Sequence, residues 1–435
     1  MIRLYFLLIL ALCHTAFSER LVLRMATGGR GMIGATSFLF PPFVLLALVF
    51  PFWPELRRLL RFRPFLGYWM PFLALSFLLP FAGVLLTGAP GRSIFASWMA
   101  LIPMGYVALG AAGQFSLEGA GKLLGRFFLF AVLAHLGLAI LQTLGQFRQM
   151  PGILQTIYDW DFQFKFTFQQ DNIILARATG LYLNPNSLGV WSILALWISF
   201  FMLEGKQRVI GTLGAFGTLV LCQSRGSLLA FFVSASVLGI SWILAHSDRA
   251  QRRKVTLAVA AGLGLVTFIL IPGMADSALV RLRGVPGVGG ILERYTSGAK
   301  VVSQGVQADT SFSGRTELWK ASLDYLADHP FGTLTSPGLA TNLPQDSQFV
   351  SSLEQGSFYL LGALLLVLLG GARLVGRTEP EARALAAASL GMMVNGISAV
   401  PFSVAASDPF WLLVGVYVAK QIQDRDRERL KRGEP

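Results

Sequence analysis

The stretch GSFYLLGALLLVLLGG, residues 356–371, contains no charged residue and directly follows a long, mostly polar segment at 274–355. Such an apolar run predicts a transmembrane helix, because roughly twenty apolar residues in helical form match the thickness of the hydrocarbon core. The polar segment beside it is long enough to form a large extramembrane loop. We therefore expect a membrane protein whose chemistry is concentrated in that loop and at the helix ends beside it.

The composition of the whole chain supports the same class. Of the 435 residues, 54% are hydrophobic and 14% are charged, and the mean hydropathy is +0.59. Charged residues make up about a quarter of an average soluble protein. The predicted fold class is an all-α polytopic membrane bundle of about twelve transmembrane helices, at 4–17, 32–52, 68–88, 94–112, 127–145, 187–203, 209–221, 227–245, 255–273, 356–371, 384–403 and 408–419.

Three parts follow from this pattern. Residues 1–273 carry transmembrane helices 1 to 9, residues 274–355 form a mostly helical loop domain, and residues 356–435 carry helices 10 to 12 and a tail. The first span also resembles a signal sequence, and its cleavage or retention leaves the later topology unchanged. The two cysteines, Cys13 and Cys222, predict neither a disulfide nor a structural metal site, and no cofactor is expected.

The basic residues predict the orientation, since short cytoplasmic loops are rich in Lys and Arg. With the N-terminus inside, 22 of the 36 Lys and Arg residues fall in inner segments, namely 1–3, 53–67, 113–126, 204–208, 246–254, 372–383 and the tail from Lys420. The loop at 274–355 then lies outside, with six basic and eight acidic residues. The net charge of +13 is a topology signal, and we expect no nucleic-acid partner. Residues 18–31, which carry three arginines, argue against this scheme.

The first unusual polar motif on the outer side is RATGLYLNPNS, residues 177–187. Asn-Pro favours an extended turn, and Asn186 or Ser187 can cap the helix that follows. A cap explains the asparagines but does not require Arg177. The guanidinium therefore suggests a second role for this motif.

The second motif, QSRGS at 223–227, lies between two spans with almost no loop. A cation at that depth is costly unless it faces the bundle interior, a wet cavity or an anion. Arg225 is thus either a ligand-binding residue or an arginine that snorkels or pairs with a carboxylate. The sequence leaves both readings open.

The third motif begins at Gly314, and its apolar residues recur at helical spacing through Leu326, which predicts an amphipathic helix over the spans. Arg315 would stand at the start of this helix, where a positive charge opposes the helix dipole. Such a placement suggests an anion nearby, either Glu317 or a ligand. His329, followed by proline, is interpreted as a turn or packing residue rather than a catalyst.

The fourth motif, QDSQF at 345–349, precedes the apolar run at 356–371. Asp346 or Ser347 can cap the helix that follows. Asp346 can also act chemically, and the two readings stay open. Aromatic residues that alternate with polar ones at 158–168 suggest a strand or an interfacial segment, and we favour an aromatic belt at the membrane surface.

Taken in order, these motifs resemble the O-antigen ligase and polymerase superfamily of bacterial envelope glycan assembly. That family shows an arginine before Thr-Gly and Asn-Pro-Asn, then Ser-Arg-Gly, Gly-Arg with a later Trp, His-Pro-hydrophobic-Gly, and a short polar motif before a late helix. The resemblance covers residues 175–375. The matching residues are Arg177 to Asn186, Ser224 to Gly226, Gly314, Arg315 and Trp319, His329 to Gly332, and Asp346 with Ser347 before Gly356.

The resemblance implies a metal-independent glycosyltransferase of the bacterial inner membrane with its active site facing the periplasm. The donor would be an undecaprenyl-diphosphate-linked oligosaccharide, and the acceptor a hydroxyl of a glycan or of lipid A core. Arg177, Arg225 and Arg315 are the candidates for binding the diphosphate, because guanidinium groups pair bidentately with phosphate oxygens. Glu317, His329 and Asn186 are secondary candidates.

The acceptor hydroxyl needs a base. Ligases of this superfamily carry a His-Asn pair where this chain has Asp346-Ser347, so Asp346 becomes the candidate base. Because polymerases more often tolerate Asp there, repeat-unit polymerisation is favoured over ligation to lipid A core. A flippase or secondary transporter is the alternative from another class, although the chain shows no internal repeat of the kind common in transporters.

Overall fold

The computed structural model describes residues 53–87, 90–117, 119–143, 167–170, 173–180, 182, 184–245, 253, 255–257, 260, 310–334, 347–403 and 405–432. Its helices are α1 Trp53–Leu59, α2 Arg63–Tyr68, α3 Met70–Thr87, α4 Pro90–Ser116, α5 Ala120–Thr143, α6 Pro185–Met202, α7 Gly205–Leu221, α8 Arg225–Ala245, α9 Thr310–Asp328, α10 Gln348–Ala372, α11 Pro380–Asn395 and α12 Asp408–Lys431. Two short 3₁₀ helices, Pro401–Ser403 and Ala405–Ser407, join α11 to α12.

One short hairpin departs from the predicted all-helical class. Strands β1, Thr167–Gln170, and β2, Ile173–Ala176, pair in antiparallel fashion with Thr167 opposite Ala176. The predicted aromatic segment at 158–168 reaches into β1 at its last two residues, and the rest of it lies outside the described residues. The hairpin leads directly into the arginine of the first motif.

Helices are found at nine of the twelve predicted spans, and the predictions at 4–17, 32–52 and most of 255–273 lie outside the described residues. Within the described part of the chain, four helices are long and apolar enough to cross a membrane. They are α5, α6, α8 and α10, and the stretch Met70–Gly83 of α3 is a shorter apolar helix. The chain is an integral membrane protein.

Helix α6 lies at the centre of the bundle. It packs against α5, α7, α8 and α11, and 83% of its most apolar 18-residue stretch is buried. Trp191 of α6 is fully buried and contacts Phe128 of α5. By contrast, only 11% of the most apolar 18-residue stretch of α8 is buried, as expected for a helix whose outer face contacts lipid. The centre of the bundle is therefore a conventional packed core.

Helices α4 and α12 make the most extensive helix pair, and glycine permits their close approach. A Cβ at Gly110 would overlap the Leu412 carbonyl, and one at Gly415 would overlap the Val107 carbonyl. Small residues let membrane helices approach at backbone distance, where van der Waals packing replaces the hydrophobic driving force. This pair fixes the C-terminal helix against the bundle.

The predicted inner connectors gather at one end of the bundle, which we call the basic end. There Arg58 pairs with Asp426, Lys122 with Glu204 at 3.1 Å, and Lys420 with Glu381 at 2.6 Å. These contacts join the segments 53–67, 113–126, 204–208, 372–383 and the tail. The grouping agrees with the predicted topology, while the side of the membrane that this end faces stays a prediction.

Candidate functional site

Several helix ends meet at the opposite end of the bundle, which we call the site end. They are the end of α5, the start of α6, the turn between α7 and α8, the start of α10 and the end of α11, all joined by hydrogen bonds described below. The first, second and fourth predicted polar motifs lie here, and the third lies on α9, which packs against α10. Side chains from motifs far apart in sequence are thereby brought together.

Arg177 is buried at the centre of this end. Its Nε donates to the carbonyl of Cys222 at 3.3 Å, and its Nη2 donates to Asn186 Oδ1 at 3.1 Å and to the carbonyl of Gln223 at 3.4 Å. The guanidinium therefore ties the first motif to the turn before the second. All three of these acceptors are neutral oxygens, so they orient the arginine without adding negative charge.

The turn that receives Arg177 has an unusual backbone. Helix α7 ends at Leu221, Cys222 follows as its C-cap, and Gln223 then adopts a positive φ of 52°. That position after a helix is commonly glycine, because other residues are strained there. The Gln223 side chain is buried as well. The turn presents two successive carbonyls, of Cys222 and Gln223, to the same guanidinium.

The cap of α6 differs from the prediction. Asn184, rather than Asn186 or Ser187, is the N-cap residue, and its Oδ1 accepts from the backbone N of Asn186 at 2.8 Å. Pro185 occupies the first helical turn, where its fixed φ is favourable. With the cap supplied by Asn184, the side chain of Asn186 is available to accept from Arg177. The sequence signal was correct for a helix start but ambiguous about which residue supplies the cap.

Gln142 at the end of α5 holds the Thr-Gly part of the first motif. Its Oε1 accepts from the backbone N of Thr179 and of Gly180, both at 2.9 Å. Its Nε2 donates to Thr179 Oγ1 at 3.3 Å and to the carbonyl of Gly180 at 3.0 Å. One buried amide thus satisfies the backbone of two residues that follow Arg177 closely.

Gly180 is required by both conformation and space. Its φ is +55°, and a Cβ there would lie 2.5 Å from His135 Nδ1 and 3.0 Å from a methyl of Leu188. The ring of His135 stacks on Tyr182 and packs against Trp191. His135 is therefore part of the buried wall behind the first motif.

The Ser-Arg-Gly motif begins α8. Ser224 and Ser227 exchange a hydrogen bond at 2.9 Å, and Asn395 Nδ2 donates to Ser227 Oγ at 3.1 Å. A Cβ on Gly226 would overlap Ser398 Oγ, which explains why glycine stands there. Arg225, between these residues, is the first residue of α8 and is half-buried. The neighbours of Arg225 are thus held by hydrogen bonds and close packing at the start of α8.

The start of α10 is fastened to the end of α11. Ser347 occupies the N-cap position but makes no side-chain cap; its Oγ donates to the carbonyl of Gly396 at 3.1 Å. Of the two capping candidates, Asp346 and Ser347, Ser347 therefore stands at the cap position without capping the helix by its side chain. Gln348 bonds this junction further, because its backbone N donates to the carbonyls of Gly396 and Ala399. Asp346 lies outside the described residues.

The amphipathic helix of the third motif is present as α9, but it starts at Thr310. Arg315 therefore lies in the second turn rather than at the N-terminus, and the predicted clash with the helix dipole is wrong. Arg315 is half-buried and Glu317 is exposed. Ser322 is buried, and α9 packs on α10.

His329 follows α9 directly. Its ring stacks on Tyr325 with centroids 4.1 Å apart, and Nδ1 lies 3.1 Å from the carbonyl of Tyr325. The side chain is exposed. These contacts agree with the interpretation of His329 as a turn and packing residue.

Residues 210–356 match the family model described as O-antigen ligase. The match supports membership of the O-antigen ligase and polymerase superfamily that the motifs resemble. The O-antigen ligase match indicates a ligase- or polymerase-type function in envelope polysaccharide assembly. The matched segment includes Arg225, Arg315 and His329, whereas Arg177 precedes this segment. No curated protein matches the chain.

Sequence reasoning missed three residues around the O-antigen ligase motifs. Gln142 and Asn395 each lie within a predicted span, and a polar amide in an apolar run was the available signal. Glu354 is fully buried although it carries a carboxyl group. A buried ionisable residue on a helix that is apolar enough to cross a membrane is a candidate functional residue. Among the described residues, no group of three His, Cys, Asp or Glu side chains could hold a metal.

Proposed function

We propose that this protein transfers a glycan from an undecaprenyl-diphosphate-linked donor to an acceptor hydroxyl at the site end of the bundle. The observation that carries the proposal is the position of Arg177. The arginine is buried and held in one orientation by Cys222, Asn186 and Gln223, next to the N-terminus of α8, which begins with Arg225. A guanidinium fixed beside a helix N-terminus is suited to bind an anion.

The diphosphate is the anion that such an arrangement would serve best. The first backbone N–H groups of α8 and its dipole favour negative charge, and Arg225 adds a full positive charge at the same place. Arg177 offers a planar fork to a pair of phosphate oxygens. Arg315 would complete the set from the outer helix α9.

The reaction proceeds by substitution at the anomeric carbon of the donor sugar. The acceptor oxygen forms a new bond to this carbon as the bond from the carbon to the phosphate oxygen breaks. The acceptor proton passes to a base, and undecaprenyl diphosphate leaves with the bonding electrons. Arg177, Arg225 and Arg315 stabilise the negative charge that develops on the leaving diphosphate. This step is metal-independent in our proposal.

Asp346 is the proposed base. It directly precedes Ser347, which is bonded to Gly396 at the end of α11, and Asn395 beside it is bonded to Ser227 of α8. Two hydrogen bonds, from Ser347 to Gly396 and from Asn395 to Ser227, therefore connect the start of α10 to the Ser-Arg-Gly motif through the end of α11. Glu317, His329 and Asn186 are the secondary candidates, and the contacts of Asn186 favour a role in orienting Arg177.

Repeat-unit polymerisation is the favoured form of the reaction, because Asp346 replaces the His-Asn pair of the ligases that the chain resembles. Ligation to lipid A core is the second candidate, and the family description of the matched segment favours it. Incubation of the purified protein with lipid-linked repeat units, with and without lipid A core, separates the two. A ladder of lengthened glycans supports polymerisation, and a single attached glycan on lipid A core supports ligation.

A flippase is the alternative from another class. It would move the lipid-linked donor across a vesicle membrane without changing the glycan. Intact donor recovered on the opposite leaflet, with no new glycosidic bond, would support the flippase and count against transfer.

The proposed location is the inner membrane, with the site end in the periplasm. Reporter fusions at Thr310 and Arg252 test this orientation. Thr310 begins the outer helix, and Arg252 belongs to a predicted inner connector. Reporters active on opposite sides support the orientation, whereas the same side for both contradicts it.

A further inference from the structure

Helix α10 is broken at Gly356 and Ser357, where φ and ψ are −140° and 23°, then 53° and −152°. The second pair lies close to a region of backbone space that is essentially restricted to glycine. A serine held there is strained, and strain of this kind persists where the surrounding structure requires it. The break must therefore serve something that an unbroken helix would not.

The break frees two carbonyls for the outer segment. In an unbroken helix, the carbonyls of Glu354 and Gln355 would accept from the backbone four residues later. Here they accept from Thr333 N at 2.8 Å and from Leu334 N at 2.9 Å. A buried carbonyl without a partner is unfavourable, so the two bonds stabilise both the break and the turn. The turn after α9 is thereby attached to the bundle.

Gly332 makes this attachment possible. Its φ is +76°, and its backbone N closes the turn by donating to the carbonyl of His329 at 2.8 Å. A Cβ on Gly332 would overlap the Glu354 carbonyl oxygen and lie 3.0 Å from the Gln355 carbonyl. Both the conformation and the close approach exclude a side chain at this position. The His-Pro-Phe-Gly motif thus ends on the residue that contacts α10 by its backbone.

We propose that Gly332 is a positioning residue for Arg315, acting through the attachment of its turn to the break in α10. This proposal rests on the proposed function, in which Arg315 binds the donor diphosphate. Arg315 lies thirteen residues before the end of α9 at Asp328, or about 20 Å along a helix. A tilt of α9 by about 10° would move Arg315 by roughly 3 Å, and a misplacement of about 1 Å can cost 100-fold in rate. Attachment of the helix end therefore sets the position of the arginine.

Gly332→Ala tests the attachment, and Gly119→Ala is its matched control. Gly119 has a φ of +77° but nothing within 4 Å of a Cβ position, so it carries the same backbone strain without the contact. We expect Gly332→Ala to lower glycan transfer at least tenfold and to raise the KM for the lipid-linked donor. Gly119→Ala should change neither by more than twofold. Ser357→Gly, which relieves strain and keeps the break, should retain transfer.

A distance measurement keeps the test independent of activity. Spin labels at the exposed positions Lys320 and Phe358 report how α9 sits on the second half of α10, in full-length protein with Cys13 and Cys222 replaced by alanine. Gly332→Ala should broaden the distance distribution, whereas Gly119→Ala should leave it as narrow as in the parent. An unchanged distribution, or a broadened one with normal transfer, would overturn the proposal. Absence of transfer by the unmodified protein would instead contradict the proposed function, while the distances would still decide the attachment.

Discussion

Two lysines at the basic end of the helical bundle and Arg177 at the site end are held in different ways. At the basic end, Lys122 pairs with Glu204 and Lys420 with Glu381, so a carboxylate neutralises each charge. At the site end, Arg177 is bonded to an amide oxygen and two backbone carbonyls, which orient its guanidinium but carry no net charge. The first arrangement suits the fastening of connectors. The second holds a buried side chain in one orientation against the backbone of a turn.

Amide side chains at the two ends also have different partners. Gln114 at the basic end exchanges hydrogen bonds with Gln423, which joins α4 to α12, and both bonds are part-buried. Gln142 at the site end is buried and bonds the backbone of Thr179 and Gly180. The Gln114–Gln423 pair joins two helices, whereas Gln142 fixes the loop that carries Arg177, a proposed substrate-binding residue. Substitutions at the two ends should therefore separate stability from transfer.

The largest effect is expected at Arg177. Arg177→Ala should lower glycan transfer by roughly 10²- to 10³-fold, since it removes a group that stabilises developing charge. Arg177→Lys should restore little of this transfer, because an ammonium group lacks the planar arrangement of donors that a guanidinium offers. Arg208→Ala is the matched control at the basic end, where its Nε donates to the carbonyl of Leu203 at 2.8 Å. Equal losses in both variants, measured as initial rates on membrane-inserted protein, would erase the distinction between the ends.

The next effect is expected at Asp346. Asp346→Asn and Asp346→Ala should both lower transfer by about 100-fold if the carboxylate is the base. A capping role predicts instead that Asn is nearly normal, because asparagine caps about as well as aspartate. Ser347 already occupies the N-cap position of α10. Expression and lipid-linked donor binding by both variants provide the control, and full activity of Asp346→Asn would exclude this base.

A smaller effect is expected at Gln142. Gln142→Leu should leave the backbone amides of Thr179 and Gly180 without this acceptor, at about 1–3 kcal/mol each. We expect a lower thermal unfolding temperature together with about a tenfold loss of transfer, since a displaced loop carries Arg177 with it. Gln114→Leu, at the basic end, should lower stability without a specific loss of turnover. Wild-type transfer by Gln142→Leu would show that the loop keeps its position without the amide.

The smallest effect is expected at Lys122. Its pair with Glu204 is exposed at both side chains, by 66% and 72%. Exposed ion pairs contribute only about 0–1 kcal/mol. Lys122→Ala should therefore leave both the unfolding temperature and glycan transfer unchanged. A loss of transfer comparable to that of Arg177→Ala would mean that the basic end contributes to the chemistry.

Much of this arrangement could be predicted from the sequence, because apolar runs and the distribution of basic residues report the membrane environment directly. The prediction of helices at nine spans and of the grouping of inner connectors depends on those patterns alone. The motif residues Arg177 and Arg225 were likewise visible, since arginine beside a span is costly without a purpose. Local turn chemistry also located the start of α6.

The features that the sequence could not supply depend on contacts between distant segments. Gln142 and Asn395 look like isolated polar residues inside apolar runs until Gln142 meets Gly180 and Asn395 meets Ser227. The start of α9 was placed too late because helical periodicity begins to show at Leu318, while the helix itself begins at Thr310. The break at Gly356 could not be predicted, since its carbonyl partners come from the turn at Thr333. Long-range pairing of backbone groups leaves no local signature.

Binding of the lipid carrier tests the central claim most directly, namely that Arg177 at the site end recognises a diphosphate. Native mass spectrometry or calorimetry of the purified protein should show tighter binding of undecaprenyl diphosphate than of undecaprenyl monophosphate. That preference should disappear in Arg177→Ala and persist in Arg208→Ala, whose arginine lies at the basic end. Unchanged preference for the diphosphate in Arg177→Ala would contradict the account.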